Sequence, residues 1–150
     1  MASGFGGAAE SAPRHLANSR WGLGCVSRTA GLIPDAARLH HEALALRHSI
    51  GDHLGVAESL IGAAALVATT DRATAGTLLG AAQRLLTELG AVVTPRQAND
   101  VAAVRALLGE HKEALADPGS DYEALAVTHA VRALDEIEGS GETRTGEEKG

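Results

Sequence analysis

Three aromatic side chains, Phe5, Trp21 and Tyr122, are all that 150 residues supply, and this scarcity narrows the folds open to the chain. Hydrophobic residues still make up 45% of the sequence, so a core can form, but Leu, Val and Ala must fill it. Strands favour the branched and aromatic residues that are scarce here. Small side chains let helix axes approach closely. The composition therefore predicts an all-α protein, and the length suits one domain with a real core.

Helical periodicity recurs between short breakers. The strongest segment runs from Arg72 to Leu89, with Ala75, Leu78, Leu79, Ala82, Leu85, Leu86 and Leu89 on one face. Asp71 or Thr70 can cap its start, and Gly90 provides a left-handed stop. In the next segment Thr94 is the N-cap, Pro95 the first helical residue and Gln97 the partner that completes a capping box. Ala98, Val101, Val104 and Leu108 then face inward, up to Gly109. Upstream, Pro34 opens a helix with Ala36, Leu39, Ala43, Leu46 and Ile50 inside, closed by Gly51. Asp52 caps another through Ala57, Leu60, Ala64 and Val67. An earlier helix spans about Leu16 to Thr29. A short one is expected near Glu110–Ala116, broken by Asp117-Pro118-Gly119. The last, capped by Ser120, buries Tyr122 or Leu125, then Ala126, Ala130, Ala133 or Leu134, and Ile137. Short connections favour antiparallel neighbours. Residues 1–14 are expected to be disordered, 15–137 to form the helical domain, and 138–150 to be a disordered acidic tail.

Charge narrows the partners. The formal net charge is −6, and the lysines are Lys112 and Lys149 alone, with the arginines scattered and forming no stripe. Phosphate binding needs clustered cations, and stacking on single strands needs aromatic platforms, so direct nucleic-acid binding is not expected. No apolar run reaches the roughly 20 residues that span a bilayer. The first residues lack the basic and apolar regions of a secretory signal, which leaves a cytoplasmic location as the expectation. Cys25, the single cysteine, has no internal partner and reads as a small buried hydrophobe.

A repeat underlies the helices. Gly24 precedes Ala36 by twelve residues, and Ala63 precedes Ala75 by the same interval. Each copy continues identically in spacing: Ala36, His40, Ala43 in one and Ala75, Leu79, Ala82 in the other. Small residues at such crossings let the two helices of a hairpin touch while the larger residue fills the adjoining groove. The pattern resembles the tetratricopeptide signature, with Leu23-Gly24 in the first helix and A-x3-[HL]-x2-A in the second. It departs from that signature in a 39-residue spacing, in the lack of an aromatic at the large position, and in the missing terminal proline. The expected architecture is a short right-handed solenoid of stacked antiparallel hairpins, with about six main helices.

The stretches Ala37–Leu60 and Ala75–Pro95 are similar to the C-terminal helical repeats of LuxR-type and AfsR-like bacterial transcriptional regulators, whose ATP-binding core is of the AAA/STAND class. Leu108-Gly109 and Ser120–Ala130 fit the ending of such a region. The resemblance implies a regulatory scaffold that binds a protein or peptide, with self-association a further outcome if the ends of the stack are bare. The G-x4-G-K-[ST] loop of the family's ATPase is missing, as is a basic recognition helix. Two alternatives are a helical domain that senses a small effector and the remnant of a truncated regulator.

Geometry nominates Arg20, Ser27, Glu58 and Ile61 as groove residues, because first-helix positions turned away from the partner helix line the inner face of such stacks. No cofactor is expected. Seven histidines are an enrichment, and His41 and His48 share a helix face. They stand about 10 Å apart along the axis, too far for one ion unless another helix contributes, so no metal site is expected. His40 reads as a packing residue at the large position. Neither G-x-S-x-G nor H-E-x-x-H occurs, and no enzymatic activity is expected.

Overall fold

Local chemistry sets the helix starts. The Asp52 carboxylate accepts from the Gly55 N–H at 3.0 Å, and Asp71 does the same for Thr74 at 3.0 Å. At Thr94 the capping box is complete: Gln97 N–H donates to Oγ1 at 3.1 Å and Thr94 N–H donates to the Gln97 side chain at 3.0 Å. Each such cap is worth about 1 kcal/mol. The computed structural model describes the backbone of residues 2–109, 119 and 121–149, and the side chains of residues 11–109, 119 and 121–140.

Six helices follow in order: α1 (Ala2–Thr29), α2 (Ile33–Ser49), α3 (His53–Val67), α4 (Arg72–Glu88), α5 (Pro95–Leu108) and α6 (Tyr122–Lys149). No strand occurs among the described residues, and the protein is all-α. No helix among them is long and apolar enough to cross a membrane. The expected boundaries at residues 14 and 138 fall within α1 and α6, and most of the side chains beyond them are outside the described set. The short helix near Glu110–Ala116 and the Ser120 cap also lie outside it.

The repeat governs the first four helices. α2 and α4 are both 17 residues long, and their first and last residues are each displaced by the same 39 positions that separate Ala36 from Ala75. Both stop at a glycine with positive φ, Gly51 at 70° and Gly90 at 64°, a conformation that other residues adopt only with strain. α1 packs on α2 and α3 on α4, giving two successive hairpins. Gly24, Ala36, His40, Ala43, Ala63, Ala75, Leu79 and Ala82, the eight positions of the spacing pattern, are all buried.

Among the described residues α5 and α6 do not pair as a third hairpin of the expected solenoid. α5 packs on α3 and α4, while α6 returns across α2, α4 and α3, and α5 and α6 do not touch among the described residues. One repeat interval beyond Gly24 and Ala63 comes Ala102, which is exposed, so the crossing position has no third use. α6 instead places Tyr122, Ala126, Val127, Ala130 and Leu134 in the core. It thereby covers apolar surface that a bare stack would leave open. The Tyr122 hydroxyl donates to Glu88 at 2.6 Å and Arg84 lies 4.1 Å from the ring centre, which fixes the start of α6 against α4. Burial and the adjacent Glu88 carboxylate both raise the Tyr122 pKa.

These neighbours enclose α3. Eleven of its fifteen residues are buried, more than one apolar stripe accounts for, and it contacts every other helix. Single faces expected from periodicity are otherwise close to those found. Leu89, Ala98 and Leu125 are exceptions: each was expected or allowed inside and is exposed, Leu89 because it stands just past the end of α4.

Candidate functional site

In α2 the stripe Ala36, His40, Ala43, Arg47 runs at helical intervals, so a charged residue is carried to the inner face by the same geometry that buries the alanines. Arg47 is only 2% exposed. One guanidinium nitrogen donates to the Gly55 carbonyl at 3.1 Å and to Ser59 Oγ at 2.9 Å. The other donates to Asn18 Oδ1 at 2.9 Å and pairs with Glu58 at 3.0 Å. One side chain thus ties α2 to α1 and α3. Such a buried charge is tolerable because opposite charge and hydrogen bonds surround it.

His40, one helical face-repeat earlier, sits in a cradle of glycines. A Cβ on Gly24 would meet its ring at 3.0 Å, and one on Gly62 would meet it at 2.9 Å. Both ring nitrogens lack a hydrogen-bond partner, as does the buried Trp21 Nε1. Burial, reinforced by Arg28 and Arg47, lowers the His40 pKa from 6.5 to about 4. The ring is neutral at pH 7. Trp21 itself is flanked by two cations, with Arg96 of α5 at 4.5 Å from the ring centre and Arg47 at 5.7 Å. The α1 and α5 helices are thus linked over α3 through a side-chain stack.

Above this polar clamp, α1 presents a face with little cover. Leu16 and Leu23, two turns apart, are 48% and 51% exposed, and Val26 is 66% exposed. Beside them Cys25, Val26, Thr29, Ala30 and Arg96 line an open concavity of about 380 Å³. Burial raises the Cys25 pKa, partly offset by Arg96, so the thiol stays protonated. Cys25 is half-buried at this rim, where a core position was expected.

The nominated groove residues do not converge on one surface. Arg20 reaches across to Glu42 of α2 at 3.3 Å, and Glu58 is committed to Arg47. Ile61 is 2% exposed and belongs to the core, which corrects its assignment to the groove: α3 is enclosed by other helices, and its inner face is not open. Ser27, half-buried, shares the outer face of α1 with Leu16 and Leu23. Sequence reasoning missed Arg47, although its counterpart one repeat later is Leu86, an apolar residue that marks the position as inward. It also missed the Arg96–Trp21 stack, which depends on how α5 docks.

The other histidines disperse. His48 is exposed, His53 Nδ1 lies 2.9 Å from Glu123, and His41 Nδ1 lies 3.0 Å from Asp135. No family model, no curated protein and no solved structure matches this chain at a significant level.

Proposed function

We propose that this chain is a protein-interaction module, comparable to the repeat arm of an ATP-dependent transcriptional regulator, and that the outer face of α1 receives the partner. The observation that carries the reading is the exposed trio Leu16, Leu23 and Val26 beside an open concavity. Clustered apolar side chains left in water mark surfaces that another protein covers. Arg96 at the rim supplies a cation of the kind enriched at interface centres, and its stack on Trp21 holds it in place. The breadth of the concavity suits an apolar side chain of a partner better than an enclosed small effector.

Catalysis has no support in this reading. His40, the histidine with the largest displacement from ordinary behaviour, is sealed between Gly24, Gly62 and Trp21 and has no path to a substrate. The regulator resemblance rests on the sequence phrases at Ala37–Leu60 and Ala75–Pro95. The two-hairpin packing of those phrases is compatible with it.

A photo-crosslinking residue installed at Val26 tests the proposal in the native cell. The expected product is a discrete adduct that disappears when Leu16 and Leu23 are both changed to Glu, with a probe at the exposed Glu136 giving none. Equal yields from both probes, or an adduct indifferent to the Leu→Glu changes, would remove the α1 face as the docking surface.

A further inference from the structure

His41 supplies one imidazole that a single helix could not complete into a ligand set, and α6 brings the remainder. Its Nδ1 lies 3.0 Å from a carboxylate oxygen of Asp135. Glu138, one turn further along α6, places an oxygen in the same cluster, and the three ligand atoms all lie within 4.8 Å of one another. Residues three apart share a helix face, so Asp135 and Glu138 project together toward α2. Among the described residues this is the single group of three such side chains.

We propose that His41, Asp135 and Glu138 form a binding site for a divalent transition-metal ion of the zinc class at the seam between α2 and α6. Two carboxylates converge here on one imidazole, an arrangement that a cation neutralises and that an isolated His–Asp pair does not require. The nitrogen donor favours zinc, cobalt or nickel over magnesium and calcium, which take oxygen ligands. Three protein ligands leave a fourth tetrahedral position for water or for a donor from a partner. Zinc sits about 2 Å from each ligand, so ligand atoms now up to 4.8 Å apart draw closer together when the ion binds. The ion then takes the place of the direct His41–Asp135 contact as the link between the helices. Ligands carried on two packed helices are held more firmly than ligands on loops. His53 and Glu123 make a superficially similar pair at 2.9 Å, and they provide an internal control because no third ligand joins them among the described residues.

Calorimetric titration of zinc chloride into the full chain tests the site, with visible absorption of the cobalt form as a second readout of tetrahedral ligation. The expected result is one ion per chain. His41→Ala and Glu138→Gln should each weaken binding at least tenfold and abolish the tetrahedral cobalt bands, while His53→Ala changes affinity by less than twofold. Circular dichroism should show the same helicity in all variants, since the changed side chains lie at the surface. Absence of saturable one-to-one binding, the behaviour of an exposed ion pair only, overturns the proposal. So does zinc binding by His41→Ala that is as tight as in the parent.

Discussion

The two hairpins are built on one spacing but filled with different chemistry. Where the first has Trp21, His40 and Arg47, the second, 39 residues on, has Leu60, Leu79 and Leu86, and all but the partly buried Trp21 are buried. The small crossing residues are retained, Gly24 against Ala63, Ala36 against Ala75 and Ala43 against Ala82. Backbone approach is therefore a shared requirement of both hairpins, and the polar filling is particular to the first. The second shows that leucine suffices at the large positions. Hairpin one thus carries orphaned ring nitrogens and a buried cation that the architecture does not demand, and it is also the hairpin whose outer face is bare.

That contrast can be broken in several ways. Truncating Arg47 to Ala leaves Glu58 and the Asn18 and Ser59 groups without their partner, and should cost about 3–5 kcal/mol, read by urea denaturation. Arg47→Leu, which copies Leu86, should cost clearly less than Arg47→Ala, because it keeps apolar volume at the crossing. A smaller effect of the opposite sign is expected at the ring: His40→Leu should stabilise by about 1–2 kcal/mol at pH 7, since it removes two unsatisfied buried nitrogens. A stability unchanged or lowered by more than 1 kcal/mol would mean that the glycine cradle is shaped for the imidazole alone. The smallest effect is a coupling. Gly24→Ala crowds the His40 ring at 3.0 Å and should destabilise, but in the His40→Leu background, which reproduces the Ala63–Leu79 pair, it should cost about 1 kcal/mol less. Additive effects in that cycle would dissolve the equivalence of the two hairpins.

Much of hairpin two and its boundaries was legible because the signals are local. Asp71, Thr94 with Gln97, and the glycines at 51 and 90 act within a turn of where they stand. The eight spacing positions were readable for the same reason, since a fixed interval forces the same face inward. Arg47 was not, because a charge is ordinarily assigned to solvent and only the docking of α1 and α3 gives it partners. Ile61 failed in the reverse direction. Its assignment to an open groove assumed a bare inner face on α3, and which helices cover α3 is decided by tertiary packing. The return of α6 over α2 was hidden similarly: its stripe of Tyr122, Ala126, Ala130 and Leu134 was visible, but a stripe does not name the surface that it covers. Of the nominated residues, Arg20 and Ser27 share the outer face of α1 with Leu16 and Leu23, because exposure there depends on what fails to pack.

That hairpin one buries a neutral histidine where hairpin two buries a leucine can be tested by pH-dependent unfolding. His40 has a folded pKa of about 4, below its ordinary 6.5, so the folded state binds fewer protons than the unfolded state between these values. The stability that depends on neutral His40 is complete above pH 6.5 and is lost as the pH falls toward 4. Unfolding free energies of the wild type and His40→Leu, measured at pH 7 and pH 4.5, isolate this contribution from every other titrating group. The advantage of the leucine variant should widen by about 2 kcal/mol at the lower pH. An advantage that stays constant between the two would contradict the account, because the imidazole would then be as free to take up a proton in the folded chain as in the unfolded one.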